Sequence, residues 1–194
     1  RPLDQANIFR KRQHLAEYGF LTYSEGCNDD VNKFIWSALG WDPDADVTNV
    51  LREYSRYFIH PRLAEGFAQG LLALERNWRG PALTNAGIHT TLRQFQAMEQ
   101  SAPPPVKANW RFQQALYRAY YDAFVRSRLI AESALEEQAM EALRQAPRLG
   151  SRAALAQAQA ALDRAVTEPA ALSLRARVFE LAEALFQSIR MQLS

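Results

Sequence analysis

Six carboxylates crowd one short stretch: Glu25, Asp29, Asp30, Asp42, Asp44 and Asp46, with Lys33 the only cation among them. Carboxylates at this density exchange protons with a substrate, hold a cation, or cap helices. The first three follow Gly19-Phe20-Leu21-Thr22-Tyr23-Ser24, a short apolar and aromatic run with glycine on both sides that reads as a β-strand. Beyond the C-terminal end of a strand, carboxylates are placed for acid–base work or for binding sugar hydroxyls, provided the strand belongs to a βα barrel. Asp29 and Asp30 also stand where a helix begins, and there a carboxylate caps backbone N–H groups and offsets the helix dipole. For these two, capping is the cheaper explanation. Glu25 sits on the turn before any helix, so capping does not account for it.

The other acidic residues have a simpler reading. Asp42, Asp44, Asp46 and Glu53 match positions 1, 3, 5 and 12 of a calcium loop. Position 6, which requires glycine, is Val47, and Pro43 intrudes at position 2. Acidic capping of a helix starting at Val47 explains them at less cost. His14, His60 and His89 lie far apart and lack metal-binding spacing. Cys27 has no base partner evident in the sequence and reads as a small packed residue. No GxSxG, phosphate-loop or dinucleotide-binding glycine pattern occurs. The expectation is therefore no metal and no cofactor.

Helices must position these groups. Asp4 can cap a helix from Gln5 to about Tyr18, and Asn28 or Asp29 can cap one carrying Val31, Phe34, Ile35 and Leu39 on one stripe. A third helix carries Val47, Val50, Leu51, Tyr54, Tyr57 and Phe58 inward. Pro61 opens a fourth, running to about Arg79, and a fifth covers about 84–100. Pro103-Pro104-Pro105 is a stiff turn. A long helix then spans about 109–146, followed by an alanine-rich helix over 151–167 and a last one from about Ala170. The aromatics Trp36, Trp41, Tyr54, Tyr57, Phe58 and Trp78 sit at helical spacing, which makes core packing the default and a sugar-stacking wall a role for a minority.

Bulk properties narrow the field. The chain has 194 residues and 22.0 kDa, with 48% hydrophobic residues, enough for a real core. Twenty arginines and three lysines face 21 acids, a net charge of +2. That balance gives no long-range pull on nucleic acid. No apolar run is long enough to span a membrane. One cysteine excludes an internal disulfide and a cysteine-cage zinc site. The chain opens at Arg1 rather than Met and stops inside a helix-like pattern, so it reads as a piece of a longer protein.

Four runs carry a resemblance: Gly19-Phe-Leu-Thr-Tyr-Ser-Glu-Gly26, Asn28-Asp-Asp-Val-Asn-Lys33, Trp41-Asp-Pro-Asp-Ala-Asp-Val47 and Leu51-Arg-Glu-Tyr-Ser-Arg-Tyr-Phe58. Over about residues 15–80 the chain resembles the junction in α-glucuronidase-like and hexosaminidase-like glycoside hydrolases, where the last barrel strand passes into a C-terminal helical domain. From about residue 100 onward there is no resemblance. The resemblance implies an all-α, bundle-like domain (41–194) carrying a short βα remnant of a TIM barrel (1–40). It implies that Tyr23 and Glu25 face a sugar pocket with Asn28 and Asp29 nearby. The rest of the parent chain would be the main partner, with carbohydrate and a homodimer as further expectations, and the parent would be secreted or periplasmic. Glycoside hydrolysis needs two opposed carboxyl groups. The fragment lacks the other barrel strands, so by itself it should not be catalytic. The rival expectation is a stand-alone helical interaction module without sugar chemistry.

Overall fold

The computed structural model describes residues 1–12, 14, 19–24 and 26–192. The chain is all-α: α1 (Pro2–Arg12), α2 (Asp30–Trp41), α3 (Val47–Phe58), α4 (Ala64–Arg76), α5 (Gly87–Ser101), α6 (Pro104–Lys107), α7 (Trp110–Arg144), α8 (Ala146–Leu149), α9 (Ser151–Thr167) and α10 (Leu172–Ile189). Side chains fix several starts. Asp46 Oδ1 accepts the Asn49 N–H at 2.8 Å and caps α3, while Asp42 Oδ1 accepts the Asp44 N–H in the preceding turn. Those carboxylates are thus engaged in local turns of the backbone. Asn109 Oδ1 accepts the Arg111 N–H and starts α7, and the triproline run ends in the single turn of α6.

Two apolar clusters hold the body together. In one, Ala6, Ile35 and Leu39 meet Val47, Val50, Leu51, Ala68 and Leu72, so α1 and α2 pack with α3 and α4. In the other, the Phe67 ring stands between Phe95 and Phe112, with centroids 6.1 and 5.9 Å away. This cluster joins α3, α4 and α5 to the first half of α7 and to Val178 and Leu181 of α10.

At 35 residues, α7 is about 52 Å long and outruns the body. From Val125 onward its only fully buried residue is Ala139. The facing helix α9 buries only Ala154 and Ala158. The outer half of α7, the turn α8 and α9 therefore form a two-helix arm seamed by alanines. α10 then returns along the inner half of α7, where Arg177 ion-pairs with Glu99 of α5.

Three expectations need correction. No strand exists among the described residues, and residues 19–24 have no ladder partner there. The βα remnant of a barrel is therefore not seen. A strand cannot satisfy its backbone alone; instead Phe20 turns edge-on to Phe9, with centroids 5.1 Å apart, and rests where a Cβ on Gly40 would lie. The first helix begins at Pro2 rather than Gln5, because Glu75, far off in sequence, accepts the Leu3 and Asp4 N–H groups at 2.8 and 3.0 Å. Tyr57 points outward and is 81% exposed, since Tyr54 and Phe58 already fill the inner face of α3.

Candidate functional site

The candidate site residues fall in different places. Glu25 lies outside the described residues. Tyr23 is 78% exposed on the extended segment. Asn28 Oδ1 accepts from Gln114 Nε2 of α7 at 2.8 Å. Asp29 does not cap α2 with its side chain; its oxygens accept from the Ser24 hydroxyl and from Asn32 Nδ2. Asp30, read as a cap, is instead a hub. Arg111 grips both its oxygens at 2.7 and 3.1 Å, and the Tyr54 hydroxyl donates to Oδ2 at 2.6 Å. Burial pushes the Asp30 carboxyl up, but these two donors overcome that and hold it below the ordinary carboxylate value. Burial, and then Asp30 itself, push the Tyr54 hydroxyl far up, so it stays protonated.

Among the described residues, Asn28 is the one expected site residue that lines a cleft between the helices of the body. That cleft, about 560 Å3, opens between α2, α4 and α7. Its rim carries Asn28, Asn32, Arg111, Gln114 and Arg118, over a floor of Val31, Phe67, Leu71, Leu74 and Ala115. The Arg118 guanidinium stacks 4.0 Å over Trp78 and pairs with Asp122 at 2.5 Å. Asp122 also accepts from Asn77, whose Oδ1 accepts from Thr91, so a buried polar chain runs under the cleft. Burial raises the Asp122 carboxyl above its ordinary value despite Arg118 and Asn77. The buried Nε of Arg118 has no acceptor among the described residues.

Such a lining can stack on a ring and donate hydrogen bonds. Glu75 is the only carboxylate among the described residues lining the cleft, and it is already engaged in capping α1. Among the described residues no three His, Cys, Asp or Glu side chains gather as a metal centre would need. The sequence reading missed Arg111, Gln114 and Arg118. Their i, i+3, i+7 spacing on α7 places them on one stripe of the helix, and that was the available signal.

Two other surfaces stand out. Phe20 and Trp41 line a shallow groove against α2 and α3, with the exposed Leu21 next in the chain and Tyr57 one turn beyond Glu53. The arm exposes Leu155, Leu162 and Val166 on α9. The chain matches no protein-family model, no curated protein and no solved structure.

Proposed function

We propose that this chain is the helical accessory module of a larger, glycoside-hydrolase-like protein, and that its task is to pack against the catalytic domain. The observation that carries this reading is the uncovered apolar face near the N-terminus. Leu21 is 94% exposed and Trp41 93%, and Tyr57 on the neighbouring helix is exposed as well. Large side chains this exposed mark a surface built for covering. The resemblance over about residues 15–80 puts a barrel on that side. In this reading Tyr23, Glu25, Asn28 and Asp29 are carbohydrate-facing groups at the barrel mouth.

Hydrogen exchange of the parent protein tests this. Peptides covering residues 19–24 should exchange at least roughly tenfold slower in the parent than in the isolated chain, and Glu25→Gln should cut glycoside hydrolysis by the parent without lowering its melting temperature. Unchanged exchange at 19–24 would remove the packing role. Unchanged hydrolysis would remove Glu25 from the pocket.

A second reading, a stand-alone helical interaction module, is favoured by one observation: the arm beyond Val125 buries little of its own apolar surface.

A further inference from the structure

We propose that the α7–α9 arm is a self-association element: its one apolar face packs against the same face of a second copy, with the two α7 helices antiparallel, closing a four-helix bundle. The inference is independent of the accessory role, and the arm lies in the part of the chain that the glycosidase resemblance does not cover.

Helical geometry sets the face. At ~100° per residue, counted forward from the alanine seam, Leu129, Met140 and Leu143 of α7 fall within about 60° of one another. Leu155, Leu162 and Val166 of α9 fall within about 40° by the same count. In an antiparallel hairpin, a quarter-turn forward from the seam reaches the same side on both helices. The six side chains thus share one side of the arm from its tip toward its root, with the exposed Glu136 among them at the same angle. Their exposure runs from 38% at Leu129 to 82% at Val166. On the opposite side the two helices are joined by a polar contact, Arg164 Nη1 donating to Gln138 Oε1 at 3.1 Å. An apolar stripe on one side only is what a helix pair shows when another layer covers it.

Size and charge identify the occupant. Two helices, each about 10 Å across and about 25 Å long, present about 500 Å2 in projection. Their corrugated accessible surface is larger than this projection, and a stable dimer buries roughly 800 Å2 per partner. Along α7, Glu132, Glu136, Glu137 and Glu141 precede Arg144, with Arg148 and Arg152 following at the tip. An antiparallel crossing at Met140 sets Arg144 of one copy, which pairs with Glu141 of its own helix at 3.3 Å, beside Glu136 of the other, twice by symmetry. A parallel crossing would set glutamate against glutamate. This order of charges complements itself when reversed, which selects a second copy over an unrelated helix.

Sedimentation equilibrium of the chain tests it. The wild type should sediment at twice 22.0 kDa at micromolar concentration. Met140→Glu with Leu162→Glu should give a monomer with unchanged helicity, both positions being exposed. Glu136→Arg alone and Arg144→Glu alone should each weaken the dimer, and the two together should restore it. Leu21→Asp with Trp41→Asp should leave it intact. A wild-type monomer, or a dimer that survives Met140→Glu with Leu162→Glu, overturns the proposal. So does failure of the paired charge reversal to restore association, which decides the matter even if the double glutamate variant misfolds. None of these outcomes touches the accessory role, which stands or falls on exchange at residues 19–24.

Discussion

Asp30 ties three helices together from one carboxylate. It opens α2, accepts from Tyr54 on α3, and is held in two-point contact by Arg111 on α7, whose guanidinium also lies over Phe58 at 4.2 Å. The sequence offered only its local role, because its partners are 24 and 81 residues away. The tie has a pH signature. The native pKa of Asp30 is depressed, so its contribution is fully present above the unfolded carboxylate value of ~3.9. It is lost as pH falls through the lower native value. Asp30→Asn should therefore cost about 1–3 kcal/mol at neutral pH, as charge-assisted hydrogen bonds do, and the gap to wild type should shrink as the solution is acidified below that value. Urea unfolding of both proteins at matched pH reads this directly. Matching matters because Asp122, with its native pKa raised by burial, works in the opposite sense. Its ionisation costs stability, and that cost disappears on acidification.

At the scale of elements, the helices follow from period and punctuation, while their packing rests on details that periodicity does not carry. The stripes of α2, α4, α5 and α10 and the long run of α7 could be read from apolar spacing. The misread run at 19–24 has strand composition, but strand type is decided by a partner, and none is present among the described residues. The start of α1 was equally hidden, since its cap comes from Glu75 on α4. Close packing of α4 on α5 turns on two glycines with opposite expected behaviour. A Cβ on Gly70 would sit 2.8 Å from Cζ of Phe95, a ring with no exposed surface and no room to retreat. Gly70→Ala should destabilise by about 1–3 kcal/mol. A Cβ on Gly66 would meet the Met98 sulfur at 3.2 Å. That thioether can swing aside, so Gly66→Ala should be neutral or stabilise by up to about 1 kcal/mol through its better helix propensity. Thermal unfolding of the two variants separates these cases. Equal losses would mean that Met98 is as fixed as Phe95.

For the whole molecule, the division into body and arm was not legible, although the two long helices of the arm were. Leu129 and the alanines of 151–167 read as ordinary helix-packing residues, and only the three-dimensional path shows that α9 meets α7 beyond the reach of the core. That path has an energetic consequence. α5 buries Ile88, Leu92, Phe95 and Met98, whereas α9 buries two alanines. Stability from burial scales at roughly 25 cal/mol per Å2, so a monomer should open α9 without opening α5. In native-state hydrogen exchange of the Met140→Glu, Leu162→Glu variant, amides of α9 should be protected roughly a hundredfold less than those of α5. In the wild type, protection of α9 should rise with protein concentration, because a second copy supplies the cover the fold omits. Protection of α5 should not change. If α9 in the monomeric variant proves as protected as α5, the alanine seam is stronger than its buried area allows, and close backbone approach rather than apolar burial holds the arm shut.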